Sequence, residues 1–195
     1  MRRFGYVTTA GGALVLGDPA RAHVRLTAER VEHVVPTGPG TDPDGADVDR
    51  SGRTEGAFAA GLADVSAFEV RADARAVRLG APAVVAWGAV AAFAGGILEP
   101  PGTSDLEVLV RRTGDADPVE LPCHGFLGAY AAHAHASTAA LLDVLLVHPA
   151  TRAALDRPVD VLAALRRVPR SASPGERRES LRAALVGGSQ GDARA

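Results

Sequence analysis

The 195-residue chain contains no lysine and no asparagine, one cysteine, one tryptophan, one methionine and a single isoleucine. Each scarcity excludes something. One Cys cannot form an internal disulfide, so the fold must be held by a packed core, and a chain of this length can bury roughly 70% of its unfolded surface. Without Lys there is no phosphate-gripping P-loop, and the pairs Gly11-Gly12 and Gly95-Gly96 do not supply one. There is no excess of positive charge: 21 basic residues, all Arg, face 23 acidic ones for a net charge of −2. That balance argues against a phosphate-neutralising surface, so nucleic acid is not an expected partner. What replaces the missing residues is Ala, a fifth of the chain, a bias expected of a high-G+C bacterial coding sequence rather than of a function.

Targeting signals are weak. Met1-Arg2-Arg3 is basic, but Thr8, Thr9, Gly11 and Gly12 interrupt any apolar stretch behind it, so a cleaved secretory signal is not expected. Residues 79–98 carry no charge and are long enough to cross a bilayer. Most of them are Ala and Gly, which contribute little to insertion, and a buried strand pair is the expectation. The chain is read as cytoplasmic and not as a membrane protein.

The periodicity divides the chain in two. Tyr6–Thr9 and Ala13–Leu16 flank Gly11-Gly12 as a hairpin, and His23–Thr27 and the patch Val31, Val34, Val35 read as further strands. Residues 36–64 mix Pro and Gly with Asp42, Asp44, Asp47 and Asp49 and are read as a flexible acidic loop with a short helical turn near Phe58–Leu62. Phe68, Val70 and Ala72 alternate with charged residues as a half-buried strand does. That strand is paired with Val77–Leu79; Val84–Val90, Leu106–Val110 and Val119–Leu121 follow as strands. Helices then take over. Leu141, Leu142, Leu145 and Leu146 have helical spacing behind a Ser137 or Thr138 cap, and Pro149 and Pro158 open two further helical segments. Ser173-Pro174-Gly175-Glu176 spells a capping box for a last helix that is expected to stop at Gly187-Gly188. Strands followed by helices define an α+β fold. Residues 1–168 are read as one domain, and 169–195 as a C-terminal helix with a frayed tail.

Phe68-Glu69-Val70, Val84-Val85-Ala86-Trp87 with Val90, the hairpin to Leu121-Pro122 and the helices from Leu141 to Leu155 together resemble the small bacterial pleckstrin-homology-like (PH-like) proteins. The resemblance implies an antiparallel β-sandwich or barrel of about seven short strands followed by a C-terminal helical region. It also implies a non-enzymatic binding or scaffold module. The phosphoinositide site of lipid-binding members is not implied, because the turn at Thr8–Gly12 carries no charge.

Candidate chemistry is sparse. Cys123, His124, His133 and His135 are the densest set of potential ligands, and thiolate plus imidazole suits zinc. On a helix His133 and His135 would diverge, and the spacing matches no established zinc motif. Asp47–Gly52 matches the first half of a calcium loop, but Phe58 occupies the position of the bidentate Glu. The segment Thr138–Val147 is apolar nearly all round, with Asp143 its only charge, and such a helix is either buried or shared with a partner. The principal reading is therefore a protein-interaction or scaffold module without catalytic residues or cofactor. It acts on another protein or on a second copy of itself, through Leu141, Leu145 and Leu146. A toxin-neutralising immunity-type protein and a zinc enzyme built on Cys123, His124, His133 and His135 are the alternatives.

Overall fold

The computed structural model describes residues 3–35, 58–72, 105–125 and 132–190. The first hairpin forms as the sequence predicts. β2 (Val7–Ala10) and β3 (Ala13–Leu16) pair with Ala10 opposite Ala13, leaving Gly11 and Gly12 as a two-residue turn. Both glycines have positive φ, 55° and 74°, the combination a tight turn matched to strand twist requires. β1 (Arg3–Phe4), β4 (His23–Leu26), β5 (Arg30–Val34) and β6 (Ala59–Gly61) complete a six-stranded antiparallel sheet in chain order. β7 (Val65–Ala72), β8 (Asp105–Arg112) and β9 (Val119–His124) form a second antiparallel sheet of three strands, also in chain order.

One expectation is corrected here. Residues 58–64 are not loop: Ala59–Gly61 pairs with β5, and Leu62–Asp64 is a 3₁₀ turn that buries Leu62 completely. An uncharged Ala-Ala-Gly segment can take an edge position beside Val31 even though the residues before it are polar. β7 pairs with β8 along its length. The segment expected as its hairpin partner, the strand at Val84–Val90, the uncharged run 79–98 and residues 36–57 of the acidic loop lie outside the described residues.

Side-chain alternation explains the burial. In β9, Leu121 and Cys123 point inward while Glu120 and Pro122 are exposed. In β8, Leu106, Val108 and Val110 have no exposure. The two sheets meet where the loop after β3 reaches the end of β9: Asp18 N–H donates to His124 O (2.7 Å), and His124 N–H donates to Ala22 O (2.8 Å). Gly17 makes this approach possible. Its φ is +106°, and a Cβ there would lie 2.9 Å from His124 O.

Helix α1 (Ala132–Val147) lies against β7, and α2 (Pro158–Arg167) covers β1, β2 and β3. Helix α3 (Pro174–Gln190) packs on α1, α2 and the 3₁₀ segment Pro149–Asp156. α1 starts earlier than expected. Ser137 and Thr138 are not caps but fully buried residues inside the helix, and the Thr138 hydroxyl donates back to Ala134 O (2.8 Å). The carbonyls at the other end of α1 find partners on the 3₁₀ segment: Arg152 Nε donates to Leu145 O (2.9 Å) and Thr151 Oγ1 to Val144 O (3.3 Å). α3 begins at its predicted capping box, with Ser173 N–H donating to Glu176 (2.7 Å) and Glu176 N–H to the Ser173 hydroxyl (3.4 Å). It continues past Gly187-Gly188 to Gln190. Leu181 and Leu185 of α3 belong to the same apolar core as Leu14, Leu106 and Leu162, so that core spans both sheets and all three helices. Among the described residues, no single helix is long and apolar enough to cross a membrane.

Candidate functional site

The leucines expected to meet a partner are core residues. Leu141 and Leu145 have no exposure, and Leu146 is partly buried against the same cluster. The contact surface read onto these leucines is therefore corrected for Leu141 and Leu145, because side chains without exposure offer nothing to a ligand, and Leu146 keeps only part of its surface. The reason is geometric: β7 takes one face of α1 and α3 a second, which buries a helix the sequence left without partners.

α1 nonetheless has one side that borders open space. Ala136, Ala139, Ala140, Asp143 and Val147 recur three or four residues apart and so share one side of the helix. Val147 is 70% exposed, an unusual position for a large apolar side chain. Opposite this line stands the first half of α3, and between the two helices runs a groove in two adjoining parts. One part, about 230 Å³, is lined by Ala136, Ala139, Ala140, Pro174 and Arg177. The other, about 220 Å³, is lined by Val144, Val147, His148, Glu179 and Arg182. Asp143 and Arg178 border both, and their ion pair (3.6 Å) crosses the groove. Both partners are about half exposed, so water screens the pair and it contributes little to stability. Arg182 is held by Glu179 at 2.7 Å, and this contact raises the guanidinium and lowers the carboxylate from their usual ranges.

Arg177 differs from these surface cations. It is 7% exposed, and its guanidinium donates from Nη1 to His133 Nδ1 (2.8 Å) and the Ser137 hydroxyl (3.0 Å), and from Nη2 to Arg170 O (2.9 Å). All three acceptors are neutral. An arginine can only donate, so His133 must present an unprotonated Nδ1. Burial, together with the positive charge of Arg177 and Arg170, holds the His133 imidazole below its usual value. Phe4 of β1 stands edge-on to the same ring at 5.6 Å.

The four potential metal ligands are not brought together. His133 faces Arg177, whereas His135 is hydrogen bonded to the Tyr6 hydroxyl at 3.2 Å. Cys123 lies in the core with its thiol directed to Leu121 O (3.4 Å), and burial pushes that thiol up to about 12, far from the thiolate that zinc requires. His124 is on β9, where its Nδ1 is buried without a hydrogen-bond partner among the described residues. No group of three or more His, Cys, Asp or Glu side chains is placed to hold a metal ion among the described residues.

Arg177, Arg178 and the alanines of α1 are the residues sequence reasoning passed over. A signal for them existed. Arg177-Arg178 is a basic pair close to the N-terminus of a helix, the end whose dipole disfavours cations. Compared with known proteins, the chain matches no family model, no curated protein and no solved structure.

Proposed function

We propose that the chain is a non-catalytic binding module that takes a short segment of another protein into the groove between α1 and α3. The observation that carries this reading is the outer face of α1. Small side chains at Ala136, Ala139 and Ala140 leave room for an occupant beside α3, and Val147 stands exposed at one end. Nucleic acid and phosphoinositides are left out of the proposal: Arg178 and Arg182 each face a carboxylate, and one remaining cation is too few for a phosphate-rich surface. The strand-then-helix order also suits a PH-like module, a kinship we include in the proposal for its fold and not for any site.

The test is selection of displayed random peptides on the immobilised full chain, repeated with Ala139→Arg. Ala139 is exposed, so the variant should keep its circular dichroism and thermal midpoint while filling the groove. Enriched peptides should bind the wild type and lose at least tenfold in affinity on the variant. A selection that enriches nothing, or peptides indifferent to the substitution, would overturn the reading.

A further inference from the structure

The charges along the groove are paired, with one exception. Asp143 is matched to Arg178 and Glu179 to Arg182. The Glu176 carboxylate accepts from Ser173 N–H in the capping box. Arg177 alone has no carboxylate among the described residues, although it is the most buried of these cations. Burying a guanidinium is unfavourable unless charge and hydrogen bonds compensate it, and neutral acceptors offset only part of that penalty. Its three hydrogen bonds engage three of five N–H donors, so donors are left for an additional acceptor. The open space beside it is walled by Ala136, Ala139, Ala140 and Pro174 and bordered by the Asp143–Arg178 pair, and an anion seated there would lie beside Arg177.

We infer that Arg177 is the anchor for a carboxylate side chain of the bound segment: an Asp or Glu flanked by small apolar residues, seated between α1 and α3. The inference rests on the groove being a peptide site, and it adds the chemistry that site selects. Charge complementarity commits it to one occupant. A neutral segment would leave the buried guanidinium without a counter-ion, and a basic one would be repelled by it. The paired charges on either side would orient the segment without adding net attraction, so a single acidic residue should dominate recognition.

Two blocked tripeptides separate the possibilities: acetyl-Ala-Glu-Ala-amide and its Gln counterpart, titrated into the ¹⁵N-labelled full chain. The Glu peptide is expected to shift the amides of Ala136, Ala139 and Arg177 and to bind about tenfold more tightly than the Gln peptide, the advantage of a charge-assisted hydrogen bond. Arg177→Met should remove that difference. Because this variant can also fail to fold, Ala136→Glu provides a second arm, supplying a carboxylate from within the chain. It is expected to raise the thermal midpoint relative to Ala136→Gln and to abolish binding of the Glu peptide. Equal affinity of the two peptides at the groove overturns the carboxylate anchor and leaves the groove reading intact. Shifts elsewhere, or none with either peptide, overturn the anchor, and failed peptide selection overturns the groove separately. Inorganic phosphate displacing the Glu peptide at equal concentration would mark a general anion site and overturn the assignment to an acidic segment.

Discussion

Leu145 sits at the centre of the apolar core, and its substitution distinguishes the inner face of α1 from the outer one. With no exposure to lose, Leu145→Ala should cost about 3 kcal/mol in urea unfolding, the sum of lost transfer energy and an unfilled cavity. Leu145→Asp should leave the chain unfolded, because the carboxylate would be buried without a partner. A folded Asp variant would return this leucine to the surface. His133 provides the pH test at the same scale. Its imidazole, and that of His23, which is 6% exposed and lowered chiefly by burial, titrate below the ordinary value in the folded chain. In the unfolded chain both titrate at about 6.5. Below that pH the unfolded state takes up protons the folded state refuses, so stability is full above it and is lost as pH falls toward the folded values. The urea midpoint should therefore be lower at pH 5.5 than at pH 7.5. His133→Gln, whose amide oxygen can still accept from Arg177, should lessen that drop. A drop unchanged by the substitution would show that His133 does not contribute to it. Carboxylates with lowered values, such as Glu176 and Glu179, act in a more acidic range and do not confuse the comparison.

At the scale of single elements, local chemistry was legible wherever it is self-contained. The capping box at Ser173 and Glu176 forms because both partners lie within one turn, so Ser173→Ala should cost about 1 kcal/mol. That corresponds to a fall of about 2–4 °C in the thermal midpoint of a chain of this size. No change would place the helix start under tertiary control instead. The Gly11-Gly12 hairpin was legible for the same reason, as its turn geometry depends on those two residues. The start of α1 was not. Ser137 and Thr138 look like caps, yet each satisfies its hydroxyl inside the fold, Ser137 with Arg177 of α3 and Thr138 with Ala134 one turn back. The edge strand Ala59–Gly61 was missed similarly, since its only reason to be a strand is the open edge of β5.

For the whole molecule, the decisive feature is that α3 completes the core instead of following it. Leu181 has no exposure and Leu185 is 4% exposed, both within the cluster that spans the two sheets. Ending the chain at Val168 should therefore remove cooperative unfolding, leaving a broad transition by far-ultraviolet circular dichroism. A truncated chain with an unchanged, sharp midpoint would make residues 169–195 an appendage after all. The same packing decides the candidate site. From Thr138 to Val147 α1 is apolar nearly all round, so its pattern alone does not say which side meets a partner. Position against β7 and α3 makes that distinction.

The sequence by itself determined the properties that depend on neighbours along the chain: the strand-then-helix order, the tight hairpin, the capped last helix, and the absence of a disulfide or a P-loop. Hydrogen bonds across a turn and alternation along a strand are short-range, and short-range patterns survive in a linear reading. The tertiary structure alone decided which face of α1 is buried, why Cys123 remains a protonated core thiol, and that Arg177 is enclosed among neutral acceptors beside an open groove. Burial and charge compensation are sums over residues distant in sequence, 44 positions apart for Arg177 and His133, and only folding performs them.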